Sequence, residues 1–217
     1  MSAHQNNIIG MMGGTFNPIH HGHLRMAQEL ADALHLDEVR FVPSANPPHK
    51  TTPQVSAEHR AAMVQLAISD NALFKLDQRE LARTGASYTF DTLQSLRDEL
   101  GNEVSLCLLM GSDAFVHFNT WHRWQEILSL CHIVLVTRPS TKPQPALAAE
   151  LQTLLHNHYT EDRNDLLLDP VGCITMQAVS QLDISATQIR ALLQSNKSAQ
   201  YLAPNSVLQY IKQHRLY

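Results

Sequence analysis

Short, nearly unbroken apolar runs alternate along the chain with longer stretches whose apolar residues recur at three- and four-residue steps. Ile8-Ile9-Gly10-Met11-Met12 is the first run, and Val39–Pro43, Val104–Met110, His132–Thr137 and Gly172–Ala178 follow, with Phe74–Leu81 a more polar segment also expected to be a strand. Runs of this length, bounded by turn residues, predict buried strands. Val104–Met110 is apolar almost throughout, which predicts a central strand covered on both faces. The stretches between predict helices. His23 to Leu34 places Leu24, Ala27, Leu30, Ala31 and Leu34 on one stripe. Ser56 to Ile68 reads as a helix with Ser56 as N-cap and Ala62, Met63, Leu66 and Ala67 as apolar positions. A helix opened by Ser87-Tyr88-Thr89 and running to about Leu100, with Thr89 and Thr92 as cap candidates, and others over Arg123–Leu130 and Ala146–Leu155 complete the middle of the chain. Pro204 opens a closing helix that turns Val207, Leu208 and Ile211 inward. Alternation of this kind predicts an α/β fold with a doubly wound, mostly parallel sheet.

Composition narrows the picture. At 217 residues the chain is expected to form a single domain over 1–217, with a small insertion around 140–170. Thr141–Pro145 resembles a linker there, and Asn157–Asp169 is polar and acidic. A net charge of -4 provides no global basic field for nucleic acid, although local positive charge can still serve a small anion. Cys107, Cys131 and Cys173 lie far apart, two of them in apolar runs, which suits buried reduced thiols in a cytoplasmic protein. No apolar stretch approaches membrane-spanning length, and no basic-plus-apolar signal pattern opens the chain.

The chemistry concentrates where the first predicted strand meets the first predicted helix. Gly13-Gly14-Thr15-Phe16-Asn17-Pro18-Ile19-His20-His21-Gly22-His23 occupies that junction. The glycine pair lets backbone N–H groups approach a ligand, and Gly22 keeps a side chain away from the helix entrance between His20 and His23. A helix N-terminus offers unpaired N–H donors and a positive dipole end. Imidazoles add further donors, so phosphate is the favoured partner. Two plainer readings stay open: a glycine pair after a strand is often only a turn, and three histidines in four residues suit a metal. No Cys-x-x-Cys or His-Glu-x-x-His stands there to complete a metal site.

Ile184-Ser185-Ala186-Thr187-Gln188-Ile189-Arg190 is the second such stretch. Ser185 and Gln188 form an S-x-x-Q capping box ahead of Ile189, Leu192 and Leu193. Capping alone accounts for that pattern, yet the Ser185 and Thr187 hydroxyls, the first-turn amides and Arg190 would also clamp a polyphosphate. Two further loops follow predicted strands, the position where ligands bind in open α/β sheets. In Ser44–Pro53, Pro47 and Pro48 stiffen a segment presenting His49 and Lys50, the lysine either solvated or on a phosphate. Gly111-Ser112-Asp113 offers a carboxylate suited to ribose hydroxyls, with helix capping by Ser112 or Asp113 as the plainer role. Trp121 is either core or a platform for a flat ring.

These stretches carry a resemblance. Gly-Thr-Phe-Asn-Pro-Ile-His-His-Gly-His resembles the signature of the nucleotidylyltransferase superfamily, whose H-x-G-H falls on His20, Gly22 and His23. Ile184–Arg190 resembles its I-S-S-T-x-I-R signature, with Ala186 replacing one serine and so removing one hydroxyl. Pro-Pro-His-Lys, Ser-Tyr-Thr, Gly-Ser-Asp, Trp121 and Arg138-Pro139 are similar to segments of the bacterial nicotinate-nucleotide adenylyltransferases, so the resemblance covers nearly the whole chain. It implies a Rossmann-like nucleotidylyltransferase fold. It also implies adenylyl transfer from ATP to nicotinate mononucleotide, giving deamido-NAD and pyrophosphate in NAD biosynthesis. The implied catalytic residues are His20, His23 and Arg190. Gly13, Gly14, Thr15, Gly22, Gly111, Asp113, Ile184, Ser185 and Thr187 would bind ATP. Asn46, His49, Lys50, Tyr88, Thr89, Trp121 and Arg138 would bind the mononucleotide. Mg2+ would be delivered with ATP rather than held by a protein metal site. Neither nucleic acid nor membrane is an expected partner, and monomer and homodimer stay open. Two rival readings remain: a phosphopantetheine adenylyltransferase, which shares the histidine motif, and a nucleotide-binding sensor without catalysis.

Overall fold

The computed structural model describes residues 7–47, 53–137, 146–180 and 182–217. Among them β1 (Ile8–Gly14), β2 (Glu38–Pro43), β3 (Phe74–Leu76), β4 (Ser105–Gly111), β5 (His132–Thr137) and β6 (Ile174–Ala178) form one sheet, in the order β3-β2-β1-β4-β5-β6. β4 pairs in parallel with both β1 and β5, and β5 with β6. This is the doubly wound order of Rossmann-like proteins. The helices are α1 (His21–Leu34), α2 (Ala57–Ile68), α3 (Arg79–Ala82), α4 (Thr89–Leu100), α5 (Ser112–Phe115), α6 (Ala149–His158), α7 (Asp165–Leu168), α8 (Ala186–Gln194) and α9 (Asn205–His214). None among the described residues is long and apolar enough to cross a membrane.

The chain divides into two compact units, one from residues 1–12, 30–39 and 88–179 and one from 13–29, 40–87 and 180–217. In the first, β4 and β5 are buried along nearly their full length, as the apolar run predicts for a central strand. Arg97 is buried there and donates to the carbonyls of Gly101, Val104, Leu130 and Pro170, tying the end of α4 to the loops around β4 and β5. The polar run after α6 is largely exposed but anchored. Leu166 of α7 is fully buried, and its carbonyl accepts the Ser105 hydroxyl at 2.5 Å. Cys107, Cys131 and Cys173 are free, and burial pushes the Cys107 thiol up to about 12.

His132 sets a pH dependence. Its Nδ1 accepts the Cys173 N–H at 3.0 Å and its Nε2 lies 2.9 Å from the Asp169 carbonyl, so the neutral ring carries its proton on Nε2. Burial lowers its pKa to about 4, with the nearby Arg97 charge acting in the same direction. The unfolded chain therefore takes up this proton below about 6.5, while the folded protein resists until about 4. The neutral ring's contribution is complete above pH 6.5 and is lost as pH falls toward 4, at about 1.4 kcal/mol per unit. Melting temperature should drop across that window, and His132→Gln should flatten the drop. Equal slopes for parent and variant would remove His132 from this role.

The second unit differs from the sequence expectation in several places. β1 runs two residues past Met12, and α1 starts at His21 rather than His23. β3 stops at Leu76 rather than Leu81 because Asp77 turns the chain: its carboxylate accepts the Arg79 N–H at 3.0 Å and pairs with the Arg40 and Arg79 guanidinium groups. Ser56 caps α2 as expected, accepting the His59 N–H at 3.4 Å, and of the apolar positions Met63 lies in the core. Arg60, Ala61, Met63, Val64 and Ile68 are buried, whereas Leu66 is exposed. In the first unit, Tyr88 rather than Thr89 or Thr92 is the N-cap of α4, and Gly111 rather than Ser112 or Asp113 precedes α5. Arg123–Leu130 is not an α-helix. Arg123 takes a left-handed conformation, with 3-10 turns at Phe118–Thr120 and Trp124–Ser129.

Candidate active site

Only Thr15–His20 separates β1 from α1, and this short turn includes the cis peptide between Asn17 and Pro18. The His20 carbonyl accepts the N–H groups of His23 and Leu24 at 3.0 and 3.3 Å, which fixes the start of the helix. In return His23 Nδ1 accepts the His20 N–H at 3.3 Å. That bond leaves Nε2 as the proton-bearing nitrogen of a neutral His23. The two rings stack with centroids 3.8 Å apart, and Phe16 meets His23 edge-on at 5.2 Å. His20 is only 6% exposed, so its ring is held by its surroundings. Gly22 makes room for it: a Cβ there would lie 3.0 Å from His20 Nδ1 and 3.6 Å from the Ile184 carbonyl.

The second motif arrives at the same place. Ser185 caps α8, its hydroxyl accepting the Gln188 N–H at 3.1 Å, as the S-x-x-Q pattern predicts. Arg190 donates from Nη1 to the Asn17 carbonyl at 2.8 Å and from Nη2 to Thr187 Oγ1 at 3.1 Å. Residues 173 positions apart in sequence are thus joined, and the β1–α1 turn is tied to the first turns of α8. Gly13 and Gly14, at the end of β1, belong to the same unit, as does Thr15. The resulting array of imidazoles, hydroxyls, helix-end amides and a guanidinium is a set of donors, matched to phosphate oxygens. Among the described residues, no group of three His, Cys, Asp or Glu side chains is arranged to hold a metal ion.

Arg60 is a residue that sequence reasoning missed. Only 1% exposed, it donates to the carbonyls of Thr15 at 2.7 Å, Ser44 at 2.7 Å, Ala45 at 3.4 Å and Val55 at 3.3 Å. It therefore fixes the segments leaving β1 and β2. Its position was a usable signal, because Met63 and Val64 follow it at the three- and four-residue steps of one helix face. Asn46, predicted to contact the mononucleotide, is engaged with the turn before α4. It donates from Nδ2 to the Gly85 carbonyl and exchanges bonds with Ser87 through its backbone N–H and carbonyl. His49, Lys50 and Arg138 lie outside the described residues.

In the first unit, Gly111 ends β4 and Asp113 is exposed in α5. The Asp113 carboxylate folds back over Gly111, where a Cβ would fall 2.4 Å from Oδ1. Tyr88 gives α4 no side-chain cap, and Thr89 opens that helix. Trp121 is half-buried against Phe118, with centroids 5.5 Å apart. The next residue, His122, packs against Tyr88 with ring centroids 4.4 Å apart and planes tilted by 30°, and the Arg123 guanidinium lies 3.6 Å above the Phe90 ring. Neither His122 nor Arg123 stood out in the sequence, since an isolated His-Arg pair reads as solvated surface.

Comparison with known proteins agrees with this geometry. The cytidylyltransferase-like family model matches residues 11–192. The "probable nicotinate-nucleotide adenylyltransferase" of Pseudomonas fluorescens is 48% identical over 209 residues, covering 96% of this chain and 96% of the relative. Its counterpart in Dechloromonas aromatica is 46% identical over 210 residues, covering 96% and 97%. The fold is that of the Plasmodium falciparum nicotinic acid mononucleotide adenylyltransferase complexed with NaAD, with a TM-score of 0.71 over 97% of each chain at 17% identity. With both signatures joined through Arg190 and Asn17 and with relatives of this identity along almost its whole length, the chain belongs to the nicotinate-nucleotide adenylyltransferase family, among the cytidylyltransferase-like proteins.

Proposed function

We propose that this protein transfers the adenylyl group of ATP to nicotinate mononucleotide, releasing pyrophosphate and forming deamido-NAD, a step of NAD biosynthesis in the cytoplasm. The observation that carries this reading is the Arg190–Asn17 bond, which adds the donors of α8 to the imidazole pair at the start of α1. A phosphate oxygen of the mononucleotide attacks the α-phosphorus of ATP. The new P–O bond forms as the bond to the bridging α–β oxygen breaks, on the opposite side of the phosphorus. The nucleophile is already an anion near neutral pH, a phosphate's second pKa being about 6. Neither a general base nor a covalent intermediate is needed. Catalysis then consists of aligning two anions and stabilising charge on the transferring phosphorus and the departing pyrophosphate.

His20 and His23 donate to the ATP phosphates beside the Gly13, Gly14 and Thr15 backbone. Ser185, Thr187 and Arg190 hold the β- and γ-phosphates, and Asp113 beside Gly111 takes the ribose hydroxyls. Magnesium comes with the nucleotide. The donors around α1 and α8 suit phosphate oxygens rather than a cation, so the ion would be held mainly by phosphate and water. Lys50, His49, Asn46 and Arg138 are assigned to the mononucleotide phosphate, and Trp121, Tyr88 and Thr89 to the pyridine ring.

Acceptor choice tests the assignment. First-turn N–H groups at Tyr88–Thr89 favour the nicotinate carboxylate, since charge-assisted bonds are about twice as strong as neutral ones. The amide of nicotinamide mononucleotide would turn its own NH₂ toward those donors and leave groups unpaired. kcat/KM at saturating ATP should favour the acid by about tenfold or more, the equivalent of about 1.4 kcal/mol. A ratio near one, or reversed, would overturn this assignment of the acceptor pocket.

A further inference from the structure

Tyr217 lies beyond α9, and its side chain reaches back to the phosphate end. Arg215 turns left-handed, and the Arg215 and Leu216 N–H groups bond to the Lys212 and Ile211 carbonyls at 3.3 and 3.0 Å, a Schellman turn. Tyr217 itself holds a φ of +74°, a conformation uncommon for a residue with a side chain. Surrounding structure must hold such a residue in place, and here it does so against Asn17. The Tyr217 hydroxyl donates to Asn17 Oδ1, while the carbonyl of the same Asn17 accepts from Arg190. Burial raises the Tyr217 pKa, so the phenol stays protonated and remains a donor, with the Arg60 and Arg190 charges close by.

We infer that Tyr217 is a positioning residue for nucleotide binding: it fixes Asn17, and Asn17 in turn aims the Arg190 guanidinium. This rests on the reading that Arg190 takes ATP phosphates. Among the described residues Arg190 has two bonds, to Asn17 and Thr187, and its remaining donors are available for a ligand. If Asn17 drifts, one of those two anchors goes. The phenol need not touch ATP for its loss to be felt.

The test is a double-mutant cycle on ATP affinity, measured by calorimetry with magnesium for the parent, Tyr217→Phe, Arg190→Lys and the double variant. Tyr217→Phe keeps the ring and removes only the hydroxyl. It should weaken ATP binding about fivefold, in the range of one lost hydrogen bond, and in turnover raise KM for ATP while leaving that for the mononucleotide unchanged. The double variant should bind ATP no more weakly than Arg190→Lys alone, because both changes break the same linkage. A merely structural tyrosine would give independent, multiplying effects. ATP affinity of Tyr217→Phe within twofold of the parent, or effects that multiply, would overturn the inference. Should Tyr217→Phe fold poorly, Asn17→Ala cuts the same link from its other side and enters the same cycle with the same criteria. Binding coupling found without any pyrophosphate release would sink the proposed reaction and leave this role for Tyr217 standing. A parent that does not bind ATP would sink both.

Discussion

Replacing His23 with alanine should lower kcat by a factor on the order of 10²–10³, the range seen when one preorganised donor to a developing charge is removed. The bond from the His20 N–H to His23 Nδ1 fixes the ring and places the proton of its neutral form on Nε2, the nitrogen assigned to a phosphate oxygen in the proposed reaction. Alanine supplies no donor and also removes the ring that stacks on His20. Folding should survive, because His23 is half-exposed in the first turn of α1 rather than buried in a core. Circular dichroism and melting temperature close to those of the parent would assign the loss to catalysis. Near-native turnover by the variant would remove His23 from the mechanism.

Arg60→Met should be the most destabilising of these changes, by about 3–5 kcal/mol, as for other broken buried charge networks. Methionine matches much of the volume, so the main loss is of donors to the Thr15, Ser44, Ala45 and Val55 carbonyls. The Val55 bond is buried and the others part-buried, and where water cannot replace the lost donor an unmet carbonyl costs more than the bond itself contributes. For a chain of this size the melting temperature should fall by roughly 2–4 °C per kcal/mol, about 6–20 °C in all. Arg60→Lys should recover only part of the loss, because one ammonium cannot serve carbonyls spread around a planar fork. A melting temperature within two or three degrees of the parent would mean that water or neighbouring donors replace the guanidinium.

Legibility in the sequence followed the range of the interactions involved. β4 and β5 were clear because burial on both faces leaves an almost purely apolar run, which few other structures produce. The two signature segments were legible as local structure for a different reason. The turn from β1 into α1 and the cap of α8 are local, so the residues that build them stand next to one another. Boundaries failed where a side chain acts on its own backbone. Asp77 ends β3 early by bonding the Arg79 N–H, and an aspartate among polar neighbours gives little warning of that. Arg60 was passed over because an arginine on a helix normally marks the wet face. Only the carbonyls of three other segments make it an inner residue, and these come from positions 15 to 55. Asn17 was visible as part of a motif, yet its place between Arg190 and Tyr217 depends on contacts across 173 and 200 positions. The contact of His122 with Tyr88 belongs to the same class of tertiary contact.

Pyrophosphate release from ATP, followed against a panel of phosphorylated acceptors, tests adenylyl transfer to nicotinate mononucleotide most directly. Release should depend on that acceptor, with deamido-NAD formed mole for mole, and should be absent with ATP alone. Phosphopantetheine should give little or none, since the Trp121 region would meet no flat ring. Release supported as well by phosphopantetheine, or ATP bound without release under any acceptor, would contradict the assigned reaction.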